Sequence, residues 1–137
     1  MLPHKHFLIA SLTIAPVAVI VSAQKSFVEI ISWILIGGFS SAAVDLDILG
    51  LVYLKSIKDN RLRQFRNPVK IFAKFRLFMD TISETGVLRL GMKTHFIVSF
   101  LIILLSYFFL KPYFIPVIIG VVSHIISDIP HLKTCKS

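Results

Sequence analysis

The hydrophobic residues of this chain form four long stretches around a polar central section. The stretches run over about residues 7–23, 27–50, 95–110 and 113–129. A helix that crosses the hydrocarbon core of a bilayer needs about 20 mainly apolar residues, with a range of roughly 17–25. The chain is 55% hydrophobic with a mean hydropathy of +0.82, which is too apolar for an ordinary soluble domain. We therefore predict an all-α integral membrane bundle of about four transmembrane helices, as a single membrane domain over residues 1–137.

The positive charge of the chain is concentrated in the central section. Residues 55–93 contain ten of the fifteen Lys and Arg residues, whereas the short connections around Lys25 and Lys111 contain one each. Cytoplasmic loops of membrane proteins are enriched in Lys and Arg, so residues 55–93 are predicted to be a cytoplasmic loop. An even number of spans then places both termini in the cytoplasm, in a multi-pass protein of the inner (plasma) membrane. The sequence carries no signal for a particular oligomeric state.

The first apolar stretch has a second interpretation as a signal peptide. Residues 21–24 (VSAQ) resemble a small-residue cleavage site after an apolar core. However, Lys5 is the only fixed cation before this core, and Pro16 interrupts it. We favour a retained span, since cleavage would remove His6 and leave three spans.

The central section contains the pattern of a basic amphipathic helix. Asn67 suits an N-cap and Pro68 suits the first helical position. Apolar residues then recur at helical spacing, at Val69, Phe72, Phe75, Met79 and Ile82. Lys70, Lys74 and Arg76 lie off this stripe, which predicts a helix along the inner membrane surface, anchored by anionic inner-leaflet lipids. An alternative is a lid that holds an anionic lipid or phosphate, whereas nucleic acid is a weaker candidate because the aromatic stripe faces the membrane.

Ionisable residues gather at one end of the predicted spans. With this topology the cytoplasmic ends contain His4, His6, Asp45, Asp47, His95, His124, Asp128 and His131. An ionisable group at the centre of a span costs up to about 3 kcal/mol, so such groups usually face the bundle interior and have partners. Histidine nitrogen with carboxylate oxygen suits Zn²⁺ most directly, and also Mn²⁺ or Fe²⁺.

Spacing limits which of these residues can meet. His124 and Asp128 are four residues apart and share a helix face, whereas His131 follows Pro130. Asp45 and Asp47 are two residues apart, so their side chains can converge only where the helix ends or unwinds.

Four motifs together resemble a known family of membrane proteins. "HKHFLIA", "VDLDIL", "KTHFIVS" and "GVVSHIISDIPH" follow one another along almost the whole chain. They resemble the bacterial and archaeal inner-membrane-bound predicted metal-dependent hydrolases (the LexA-regulated type). The family pattern matches here at His6, Asp45, Asp47, Thr94, His95, Gly120, His124 and Asp128. The chain departs from the family pattern at Val44 and Ile48, where the family commonly has Pro and His, and at residues 90–92, where it commonly has His-Arg-Gly. Either His4 and His131 replace the missing groups, or the chain is a divergent member with weaker or no hydrolysis.

The resemblance implies a metal-dependent hydrolase at the cytoplasmic face of the membrane. Its divalent metal, Zn²⁺ first, would be held by a subset of His6, Asp45, Asp47, His95, His124 and Asp128. Asp47 is the candidate general base and His131 the candidate proton donor. The basic central section suggests a phosphate-bearing, small-molecule or lipid-like substrate.

A non-enzymatic role is the alternative. The same His and Asp residues could form a structural cluster, or could bind or transport a cation. Transport requires access from both sides of the membrane, and the opposite ends of the spans offer few titratable groups beyond Lys25, Glu29 and Lys111. Motifs of soluble nucleotide-binding enzymes and serine hydrolases do not occur in the sequence.

Overall fold

The computed structural model describes residues 3–21 and 26–134, without the side chains of residues 3 and 129–134. The α-helices are α1 (Pro3–Val21), α2 (Phe27–Val44), α3 (Leu46–Lys55), α4 (Asn60–Arg63), α5 (Pro68–Ala73), α6 (Phe75–Glu84), α7 (Val87–Phe109) and α8 (Phe114–Thr134). Two short 3₁₀ turns, Gln64–Arg66 and Lys111–Tyr113, lie between them. The described residues contain no β-strand, which confirms the all-α prediction.

Three helical segments in the described part of the chain are long and apolar enough to cross a membrane. They are His4–Val21, Phe27–Lys55 and Val87–Phe109. Their length and composition are consistent with a membrane location. The fourth span, predicted at 113–129, overlaps α8 from Phe114 onward. This span and the orientation of the termini stay predictions. The predicted cleavage site at residues 21–24 lies almost entirely outside the described residues.

The chain divides into two compact units. We call residues 1–44 with 98–137 the bundle unit, and residues 45–97 the central unit. Helix α7 contributes to both, because its first half belongs to the central unit and its second half to the bundle unit. The single membrane domain over the whole chain stays a prediction.

In the bundle unit, helix α1 packs against α2 through a row of two alanines and one isoleucine. Ala10, Ile14 and Ala18 recur every four residues on α1 and are buried with Trp33 of α2. Because residues four apart lie on one helix face, this row forms a narrow strip along which α1 can pack closely. Similar packing within membranes relies on small residues, since lipid offers no hydrophobic drive for association.

Two helices of this unit approach each other closely at glycine residues. A Cβ atom on Gly120 of α8 would collide with the backbone of Gly37 on α2. A Cβ atom on the next residue, Gly38, would instead collide with Phe7 and Ser11 of α1. The Gly37–Gly38 pair therefore lets α2 pack against two helices at once, and this packing positions the ends of α1 and α8 that contain histidine.

The central unit has its own hydrophobic core. Val52, Leu62, Phe65, Ile71, Phe78, Ile82 and Val87 form one buried cluster. The chain enters α7 through Gly86, which has a φ angle of +68° that favours glycine. Helix α7 begins at Val87, so its first two turns overlap the predicted cytoplasmic loop over 55–93, and the cytoplasmic location of that loop stays a prediction. The first turns of α7 are polar on one side, at Arg89 and Lys93. The hydropathy pattern therefore predicted only the later, apolar part of this helix.

The predicted amphipathic helix is interrupted. Asn67 does cap α5, since its side chain accepts a hydrogen bond from the Val69 N–H at 2.9 Å, and Pro68 opens the helix. The backbone then leaves the helical conformation at Lys74, with φ −125° and ψ 45°, and α6 starts afresh. The break changes the helix phase, so that Val69 is exposed whereas Ile82 is buried in the core. The continuous apolar stripe is therefore wrong, and attachment to the membrane surface stays a prediction.

Candidate metal centre

His6 is held inside the bundle unit by backbone and side-chain contacts. It lies in the second turn of α1 and its side chain is fully buried. The hydroxyl of Ser41 on α2 donates a hydrogen bond to the His6 carbonyl at 3.3 Å. This contact joins the start of α1 to the end of α2. The sequence alone suggested that His6 lies at a helix end near the membrane surface, but its side chain is buried between helices.

Helix α8 of the same unit contributes His124 and Asp128. They are four residues apart on α8, both are buried, and their side chains face each other as the spacing predicts. His124 Nε2 lies 3.4 Å from Asp128 Oδ2, and His6 Nε2 lies 3.3 Å from Asp128 Oδ1. The two histidine rings are adjacent, with centroids 4.0 Å apart. One carboxylate therefore faces two imidazole nitrogens from two helices.

A serine sets the tautomer of His6. Ser127 Oγ lies 2.9 Å from His6 Nδ1, and the same hydroxyl donates its only hydrogen to the His124 carbonyl at 2.8 Å. Because the hydroxyl hydrogen is already used, His6 Nδ1 is the donor to Ser127 Oγ. When His6 is neutral, its Nε2 therefore carries the lone pair and faces Asp128. Metal-binding histidines are oriented by this kind of second hydrogen bond.

The separations of these atoms fit ligands around one ion. Ligands at about 2.0–2.1 Å from a tetrahedral Zn²⁺ lie roughly 3.3–3.4 Å from one another. The two N···O distances are 3.3 and 3.4 Å, and the three ligand atoms lie within 4.8 Å of one another. A direct charge-assisted N–H···O bond would be shorter, at about 2.7–2.9 Å. This buried His/Asp group could hold a metal ion.

The central unit contains a second His/Asp group. His95 on α7 is buried, with its Nδ1 2.7 Å from Asp47 Oδ2 and its Nε2 3.6 Å from Asp45 Oδ1. The Thr94 hydroxyl also lies 2.5 Å from Asp47 Oδ2. Asp47 thus holds His95 through Nδ1, and the other ring nitrogen faces the second carboxylate.

An interrupted helix makes this arrangement possible. Helix α2 ends at Val44 and α3 begins at Leu46, so Asp45 lies in a turn between them. The two carboxylates can therefore approach one imidazole, which a continuous helix would prevent. Within this unit the two aspartates thus meet the condition set by their spacing, since both approach the His95 imidazole where the helix is interrupted.

The structure thus groups the predicted site residues within each unit. His6, His124 and Asp128 meet in the bundle unit, and Asp45, Asp47 and His95 meet in the central unit. His4 is exposed. The side chain of His131 lies outside the described residues. That all six predicted ligands hold one ion stays a prediction.

Sequence reasoning missed the serines of the site. Ser127 directly precedes Asp128 and lies three residues after His124, which places it within one helical turn of both. This position could have marked it as a partner of the site. Ser41 had no comparable signal, since its contact with His6 depends on how α1 packs on α2.

Comparison of the chain with protein-family models, with curated proteins and with solved structures gives no match. The resemblance to membrane-bound hydrolases therefore rests on the sequence motifs alone.

Proposed function

We propose that this protein is a membrane-bound metal-dependent hydrolase whose ion is held by His6, His124 and Asp128. The observation that carries the proposal is the geometry of the carboxylate. Each oxygen of Asp128 faces the Nε2 of a different histidine, at 3.3 and 3.4 Å. Those separations suit ligands of a shared ion better than direct hydrogen bonds.

The ligand types also favour a catalytic ion. Catalytic zinc sites commonly use three protein ligands, two histidines and one carboxylate among them, and leave a further position for water or substrate. A bound Zn²⁺ would act as a Lewis acid and lower the pKa of a coordinated water to about 7. Mn²⁺ and Fe²⁺ accept the same nitrogen and oxygen ligands.

The surrounding residues prepare the ligands for this role. Ser127 accepts the Nδ1 hydrogen of His6 and so keeps the lone pair on Nε2. Burial of His6 and His124 keeps bulk water from competing for the carboxylate. Because the three ligands come from α1 and α8, helix packing determines the geometry of the site.

We further propose a location and a substrate class. The basic central section favours an arrangement with this section in the cytoplasm, a fourth span in α8 and an inner-membrane location. It also favours an anionic substrate, phosphate-bearing or lipid-like. Asp45, Asp47 and His95 stay candidate ligands, with Asp47 as candidate general base and His131 as candidate proton donor.

Hydrolysis assays of the purified full chain test this function. The protein in detergent is stripped with a chelator, reloaded with Zn²⁺, Mn²⁺ or Fe²⁺, and offered phosphodiesters and lipid phosphates. His6→Ala removes a ligand, whereas His4→Ala removes an exposed histidine from the same helix and is the matched control. We expect a loss of more than about 100-fold in His6→Ala and little change in His4→Ala. Metal-independent turnover, or equal activity in both variants, would contradict the proposal.

A structural role for the same group is the second candidate. The close contact of the His6 and His124 rings beside Asp128 would also suit a buried ionic cluster that joins α1 to α8. In that case His124→Ala lowers the free energy of unfolding and leaves the metal content unchanged. A ligand role requires the metal content to fall.

A further inference from the structure

The central unit contains a cavity that the proposed hydrolase function does not use. Its volume is about 210 Å³, and it is lined by Leu49, Tyr53, Phe65, Arg66, Pro68 and Ile71. Phe65 and Ile71 are buried, whereas Tyr53, Arg66 and Pro68 are exposed. The cavity therefore has an apolar floor, an exposed rim and one charged side chain.

That side chain is held in place by its neighbours. Arg66 Nε donates to Ser56 Oγ at 2.6 Å, and the guanidinium lies 5.3 Å from the centre of the Tyr53 ring. The Ser56 hydroxyl donates in turn to the Tyr53 carbonyl at 2.6 Å. Among the described residues, only Ser56 accepts a hydrogen bond from this guanidinium. Its two Nη groups remain for a ligand, and this fork matches a phosphate group.

The surface next to the cavity has the composition of a membrane-contacting surface. Val69 and Phe72 of α5 have exposed fractions of 69% and 55%, and the neighbouring Lys70 and Lys74 are also exposed. Exposed apolar side chains flanked by lysine are typical of segments that dip into an anionic leaflet.

Chain connectivity places this segment directly between two candidate membrane spans. Residues 56–86 join the candidate spans Phe27–Lys55 and Val87–Phe109. They contain seven Lys or Arg residues and three Asp or Glu residues. The excess of positive charge complements an anionic ligand and argues against a cationic or neutral one.

We propose that this cavity binds one anionic phospholipid. The Nη groups of Arg66 pair with the phosphate, and the first methylene groups of an acyl chain enter between Leu49, Phe65 and Ile71. The lipid is a bound ligand of the central unit, and the proposal does not rest on the hydrolase function.

Lipid titrations of the full chain in a zwitterionic detergent test the proposal, with native mass spectrometry as the readout. The probes are short-chain phosphatidylglycerol, phosphatidylcholine with the same chains, and inorganic phosphate. We expect phosphatidylglycerol to bind about tenfold more tightly than phosphatidylcholine, because the anionic lipid gains a charge-assisted contact. Phosphate alone should bind more weakly than the lipid, since it leaves the apolar floor unfilled.

Three variants identify the residue responsible. Arg66→Gln should weaken phosphatidylglycerol binding about tenfold, and Arg66→Lys should retain part of the affinity because it keeps the charge but loses the fork. Arg63→Gln is the matched control, since Arg63 is exposed in the same segment but does not line the cavity.

Three outcomes would overturn the proposal. Equal binding of the two lipids would remove the anionic preference. Equal losses of phosphatidylglycerol affinity in Arg63→Gln and Arg66→Gln would mean that the lipid is attracted to the positive charge of the segment without a specific site. Equal affinity for inorganic phosphate and for lipid would mean a phosphate site without a role for the acyl chain.

Discussion

Replacement of Gly120 by alanine tests the packing that positions the candidate metal centre. A Cβ atom at this position would collide with the carbonyl oxygen, the carbonyl carbon and the Cα of Gly37. These are backbone atoms, so no side-chain rotation can relieve the collision. The substitution therefore forces α2 and α8 apart.

The expected effect is a moderate loss of stability. Overpacking costs typically about 1–3 kcal/mol, and alanine recovers up to about 1 kcal/mol over glycine within a helix. We expect a net decrease of about 1–2 kcal/mol in the free energy of unfolding. His124 lies one turn after Gly120 on α8, so metal affinity should fall as well.

Gly50→Ala provides the matched control. Gly50 is also helical, and a Cβ atom there would have no neighbour within 4 Å. Its replacement should leave stability unchanged or raise it by up to about 1 kcal/mol. Unfolding by sodium dodecyl sulfate, followed by circular dichroism, compares the two variants. If Gly120→Ala is as stable as Gly50→Ala, the close helix crossing is refuted.

Two further predictions concern polar contacts of individual side chains. Ser127→Ala removes the acceptor for His6 Nδ1–H and should lower metal affinity by about 10–100-fold. Competition with a chelating dye measures this affinity, and an unchanged value would contradict the role of Ser127. The side chain and backbone N–H of Arg61 hold the pKa of Asp59 below its usual value. Ionised Asp59 therefore stabilises the fold above its ordinary pKa, and this contribution is lost as the pH falls through the lowered pKa. Arg61→Gln should raise the Asp59 pKa toward about 3.9 in a carbon-13 NMR titration, and an unmoved midpoint would contradict the pairing.

The long apolar stretches were predictable because their hydropathy pattern is local. The positions of α1, α2 and α7 follow from runs of apolar residues, and the i, i+4 spacing of His124 and Asp128 places them on one helix face. The N-cap at Asn67 also follows from local chemistry, since an Asn–Pro pair suits a helix start.

Features that depend on packing could not be read from the chain. The break at Lys74 divides a pattern that is helical in every local respect, because Ile71, Phe78 and Ile82 enter one core. The approach of Gly37 to Gly120 joins residues far apart in sequence.

The site combines both kinds of information. Asp45 and Asp47 converge because the helix is interrupted at Asp45. The glycines near this position allow irregular backbone, but the sequence did not specify where the helix would end. The partner of His6 was undetermined in the sequence, because α1 and α8 lie at opposite ends of the chain. Their packing brings His6 to Asp128 and to Ser127.

Elemental analysis of the purified protein tests the central claim most directly. The wild type is compared with the His124→Ala, Asp128→Ala double variant and with His4→Ala, and circular dichroism verifies that each remains helical. We predict about one divalent ion per chain in the wild type and in His4→Ala, and nearly none in the double variant. Equal metal content in the wild type and the double variant would contradict the assignment of these residues as ligands.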